Sequence, residues 1–110
     1  IALNNVGTYR AEKATLTLVT PAGGTVINPK FAVGGYYVQY TGTVEAASTL
    51  TISCGSYTAT NGTLTVTGDI THDGGLPWLV IPTGTSDLTL SASAIIGTPT
   101  VTVSWTPAFL

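Results

Sequence analysis

Apolar and hydroxylated residues alternate along much of this chain with a period of two. Leu16 and Leu18 alternate with Thr15 and Thr17, and Leu50, Ile52 and Cys54 form a further apolar row. Tyr36, Val38 and Tyr40 share one side, with Tyr37, Gln39 and Thr41 on the other. Leu88, Leu90 and Ala92 oppose Thr89, Ser91 and Ser93, and Val101, Val103 and Trp105 oppose Thr100, Thr102 and Ser104. Successive side chains of a strand point to opposite faces, so each run has one apolar and one hydroxylated face. Such faces are buried by packing sheet on sheet, which predicts an all-β chain forming a single antiparallel β-sandwich.

Turn signals divide these runs about every 8 to 12 residues, the cadence of a sandwich or barrel. Residues 1–6 read as an edge strand whose pattern Asn4 and Asn5 interrupt, and residues 7–10 as a turn. Further turns are predicted at residues 21–24, at Asn28-Pro29, at Gly55-Ser56, at Thr83-Gly84 and at residues 96–99. Gly34-Gly35 opens the aromatic strand. Asn61-Gly62 is the strongest hairpin signal, because a type I′ turn needs positive φ at both central positions. Leu64 and Val66 belong to the returning strand. Residues 68–75, GDITHDGG, read as a polar surface loop. Pro77 and Pro82 bracket the apolar run 78–81 and leave no room for a helix. Helical spacing is never sustained, and at most residues 45–47 make a single helical turn.

Composition sharpens this reading. The 110 residues are 44% hydrophobic and only 7% charged, with a net charge of −2. That length makes one domain, residues 1–110, able to bury a core without crosslinks. No apolar run approaches the roughly 18 residues of a membrane helix. Alternating β-branched residues argue against disorder. Arg10, Lys13 and Lys30 are the only basic residues, so no stripe for nucleic acid exists. A single cysteine, Cys54, excludes an intrachain disulfide framework. The start at Ile1 suggests a domain taken from a longer parent chain. Low charge fits a surface covered by neighbours in an assembly, because interface centres are poor in charge.

Several segments, in order, resemble the C-terminal β-sandwich of the distal tail and minor tail proteins of long-tailed bacteriophages. They are Asn5-Val6-Gly7-Thr8, Asn28-Pro29, the aromatic strand 36–42, Thr49-Leu50-Thr51-Ile52, Trp78-Leu79-Val80-Ile81-Pro82-Thr83-Gly84, Leu88-Thr89-Leu90 and the closing stretch 101–110. Ser53-Cys54 stands where that family often has an Asp, and Thr106-Pro107 where a cation follows the final aromatic. The resemblance implies a galectin-like or carbohydrate-module-like jelly roll in a virion. It implies assembly in the host cytoplasm and exposure outside the cell on the phage tail. Its partners would be other virion proteins and further copies of itself, as a tail-tip or baseplate attachment scaffold. It supplies no catalytic residues and no cofactor, so the chain is not expected to be an enzyme.

Individual residues leave two other functions open. Exposed aromatic rings give platforms for sugar faces, so Tyr37, with Gln39 beside it and Tyr57 nearby, is the candidate glycan site of a carbohydrate-binding module. A capsid or tail decoration protein would be the same kind of domain placed elsewhere on the particle. His72 lies between Asp69 and Asp73, but no nucleophile elbow accompanies it, and a polar loop residue is the plainer reading. Cys54 continues an apolar face, as an inert buried thiol does. Asp69, Asp73, Gly74 and Gly75 resemble part of a calcium loop without the EF-hand spacing, and zinc would need more His or Cys. No metal site is assigned.

Overall fold

A computed structural model describes residues 1–73 and 77–109. The described residues are all β, with antiparallel pairing throughout and a single 3-10 turn at Thr67–Asp69. Fourteen strands follow in order: β1 Ala2–Asn5, β2 Thr15–Val19, β3 Thr25–Ile27, β4 Lys30–Val33, β5 Tyr36–Tyr40, β6 Thr43–Val44, β7 Thr49–Ser53, β8 Thr58–Asn61, β9 Leu64–Thr65, β10 Ile70–His72, β11 Gly84–Asp87, β12 Thr89–Ser91, β13 Ala94–Ile96 and β14 Thr100–Ser104.

One layer is a five-stranded sheet in the order β14-β2-β7-β8-β9. The other is bent and made of two sheets, β10-β5-β4-β12 and β13-β3-β6. Backbone bonds carry this second layer across the bend, from Ser93 N–H to Ile27 (2.9 Å) and from Asn28 N–H to Gly42 (2.8 Å). Leu16, Leu18, Leu50 and Ile52 from the flat layer meet Val26, Phe31, Val38 and Val44 from the bent one in one fully buried core. Asn61 reaches between the layers, donating from Nδ2 to the Thr43 carbonyl (3.0 Å) and the Tyr40 hydroxyl (3.3 Å). A ribbon of β1 and β11 stands beside the layers. The residues between β10 and β11 include the buried run Trp78, Leu79, Val80 and Ile81, which bridges to Ala11.

The bend has a specific cause. Against β12 and β13 the register is unbroken, Lys30 facing Ser91 and Ile27 facing Ala94. Against β5 and β6 it slips, with Lys30 facing Gln39 and Ile27 facing Thr43, so one extra residue is accommodated near Thr41. An extra residue on one side of an antiparallel pair is a bulge, and bulges bend the strand. Asn28 holds it at φ 55°, a conformation asparagine tolerates better than most. Its Oδ1 accepts the Gly42 N–H (3.0 Å), and its Nδ2 donates to Ser93 Oγ (3.1 Å). Asn28-Pro29 therefore bends a layer and does not reverse the chain.

Four further expectations change. The type I′ hairpin forms at Gly34-Gly35, both at positive φ (59° and 84°), joining Val33 to its partner Tyr36. At the Asn-Gly dipeptide, Asn61 pairs with Leu64, so the central residues are Gly62 and Thr63, and only Gly62 (62°) has positive φ, as a type II′ turn requires. Asn61 stays in the strand because its side chain is held between the layers. Residues 45–47 form a turn with Ala47 at φ 54°, not a helical turn. The polar loop contains β10, whose three residues are too few to show alternation.

Burial follows the sequence pattern with few exceptions. Tyr40 and Trp78 are buried as expected, Tyr36 and Trp105 only half-buried, and Leu64 is exposed. Asn5, an apparent interruption, is buried with its Nδ2 on the Ile81 carbonyl (3.1 Å) and its Oδ1 on the Gly7 N–H (3.0 Å).

Candidate functional site

The outer face of the five-stranded sheet is built almost entirely of hydroxyls. Its registers place Thr102, Thr17, Thr51, Thr60 and Thr65 in one row, a threonine from every strand. Beside it runs Ser104, Thr15, Ser53 and Thr58, and on the other side Thr100, Val19 and Thr49. Strands lie about 4.8 Å apart and alternate residues of one strand about 6.7 Å apart, which makes a regular grid. The cause is local: in Thr-Leu-Thr-Leu and Thr-Leu-Thr-Ile, β-branched threonines suit the strand while leucine and isoleucine fill the core. The face carries no charge. It can take part in many weak hydrogen bonds and methyl contacts but supplies no acid, base or nucleophile.

The outer face of the bent layer holds two of the three glycan candidates. Thr71, Gln39, Lys30 and Ser91 form one row across β10, β5, β4 and β12, and Tyr37, Ala32 and Thr89 form the next. Tyr37 and Gln39 are thus brought together, and both are half-buried. Each already has a partner. The Lys30 ammonium lies 4.4 Å from the centre of the Tyr37 ring, a cation–π contact that occupies one face of the ring. Gln39 Nε2 donates to the Asn28 carbonyl (3.2 Å) at the bend.

Tyr57 lies apart from that pair. It packs edge-on against Trp78 (5.4 Å between centroids), and Trp78 meets His72 at 5.8 Å. His72 is the strand partner of Val38, so it lies on the core side of β5, opposite Tyr37 and Gln39. Tyr57 is exposed and has φ 56°, unusual for an aromatic residue.

Cys54 is fully buried, and burial pushes its thiol up to about 12. It has no thiolate to offer at neutral pH. Among the described residues, no three His, Cys, Asp or Glu side chains gather where they could hold a metal ion. Gly74 and Gly75 of the calcium-like stretch lie outside the described residues. Shallow grooves of about 250, 350 and 460 Å³ lie beside the β1–β11 ribbon, around Tyr9, Arg10 and Lys13, and between Leu90 and Val101. The second contains the exposed Arg10–Glu12 pair (2.8 Å). None of the three is lined by histidine or cysteine.

No protein-family model, curated protein or solved structure matches this chain.

Proposed function

We propose that this chain is a structural module of a bacteriophage tail tip or baseplate, a rigid attachment scaffold held by contacts to other virion proteins. The observation that carries the reading is the charge-free hydroxyl grid of the five-stranded sheet. A surface meant for diffusing ions or nucleic acid would concentrate charge, whereas a surface covered in an assembly loses little on desolvation when it carries none. The order of segments that resembles distal tail domains supports the same reading. Such a module acts by shape: the core fixes the two layers, and the layers fix the faces and loops presented to neighbours.

Immunogold labelling of intact particles with antibody to the 110-residue chain tests this. Label confined to the tail tip is expected. Label on the head favours a decoration protein, and an absence of label from disrupted and intact particles alike removes the virion reading. The carbohydrate-binding alternative draws on Tyr37 and Gln39 sharing a face. The Lys30 ammonium over the ring and the engaged Gln39 amide make it the weaker of the two. Tyr37→Ala on a glycan array decides it: a hit lost on this substitution would favour sugar recognition.

A further inference from the structure

Among the described residues β14 is the longest strand at any open sheet edge. It pairs with β2 on one side, and among the described residues nothing pairs with the other. Open edges are normally guarded by shortness, charge, proline or a bulge. The other edge strands of the two layers are shorter: β9 and β6 are two residues each, β10 is three and lies between Asp69 and Asp73, and β12 and β13 are three each, separated at the bend beside Asn28. β14, reading Thr-Val-Thr-Val-Ser, has no charge, proline or bulge within its five residues, and Pro99 stands just before it. From Leu88 to the end of the sequence there is no charged residue at all.

The apolar side of this edge is also incomplete. Val101 and Val103 pair with the buried Leu18 and Leu16, yet both are only half-buried, as are Leu90 and Ala92 on the neighbouring edge of the other layer. Between the two edges lies the groove of about 460 Å³ lined by Leu88, Leu90, Pro99 and Val101.

We infer that β14 pairs antiparallel with β14 of a second copy, about a two-fold axis through Thr102. The edge is self-complementary about that residue. The two-fold sets Thr102 against Thr102, Val101 against Val103, and Thr100 against Ser104, with every apolar residue kept on the core side. A two-fold contact requires such reciprocity, since each residue that touches another must be touched by its equivalent. Charge agrees with it: every charged side chain lies outside 88–110, so no like-charged side chains of β14 oppose each other. The pairing joins two five-stranded sheets into one of ten strands, and the threonine row through Thr102 continues unbroken into the partner. The proposal rests on the assembly reading only in taking a copy of this chain as a neighbour.

Sedimentation equilibrium of the 110-residue chain is expected to show a dimer. Thr102→Lys, which sets like charges directly opposite, should weaken it about tenfold. Thr65→Lys, on the far edge of the same sheet, should leave it unchanged. Register is read separately: Thr102→Cys should oxidise to a disulfide-linked dimer, because residues paired across the axis lie about 5 Å apart at Cα. Thr100→Cys should not, because its copy lies too far along the strand. A monomer at every concentration overturns the inference, as does equal crosslinking at 100 and 102 or equal weakening by both lysines. A dimer whose antibody labels no tail would keep this inference and remove the tail assignment, and tail label with a monomer would do the reverse.

Discussion

Three buried or half-buried polar side chains, Asn5, Thr20 and Asn28, hold together stretches that the ladders do not. Thr20 is buried; its hydroxyl donates to the Glu45 carbonyl and accepts the Ser48 N–H (3.0 Å), fixing the turn in which Ala47 sits at positive φ. Thr20→Val keeps the shape and removes both bonds. It should cost about 1–3 kcal/mol in urea unfolding, because groups within the fold lose their partner. Cys54 gives a pH-dependent outcome. Its folded pKa lies above the unfolded one, so the folded state retains a proton that the unfolded state releases. The stabilisation is complete below the ordinary thiol range and is lost as pH rises from there toward about 12. Cys54→Ala should therefore flatten the alkaline loss of stability measured by denaturant titration. In the native wild type, a thiol reagent at neutral pH should react only as fast as the chain unfolds.

At the scale of elements, turn chemistry and cross-layer contacts compete for the same residues. Gly34-Gly35 has no side chain to engage elsewhere and adopts the type I′ geometry freely. The Asn-Gly dipeptide satisfies the same local rule, but Asn61 is held by Tyr40 and Thr43, and the hairpin shifts by one residue. The two glycines should differ under substitution. A Cβ on Gly35 meets nothing within 4 Å, so Gly35→Ala should cost about 1 kcal/mol from its left-handed φ alone. A Cβ on Gly34 would approach Pro82 Cγ to 2.8 Å, so Gly34→Ala should cost more. Urea midpoints for the pair check this order. Equal values would mean that the Pro82 contact relaxes without penalty.

At the scale of the whole molecule, stability comes from burial between the two layers and hardly at all from charge. Leu16, Leu18, Leu50 and Ile52 face a second apolar layer, while Arg10–Glu12 is the one salt bridge among the described residues and is exposed. Ile52→Ala should cost about 2–5 kcal/mol by opening a cavity at the centre of the core. Neutralising the ion pair with Glu12→Gln should change stability by less than about 1 kcal/mol. Comparing the two by chemical denaturation shows which interaction the slab depends on.

The sequence by itself determined that the chain is all β, which faces are apolar, that Cys54 is buried and that charge is scarce. These properties are written in a period-two pattern that needs no distant partner to be read. Only the tertiary structure decided that three hydroxyl runs lie side by side as rows on one sheet, because strand order and register depend on contacts far apart in the chain. It also separated Tyr57 from Tyr37 and Gln39, and placed Lys30 over the Tyr37 ring. Alternation assigns a side chain to one side of its own strand but not to a neighbour on another. β4 and β10 escaped the pattern for a related reason: four and three residues beside a bend or a polar stretch carry too little alternation, and pairing with β5 is what makes them strands.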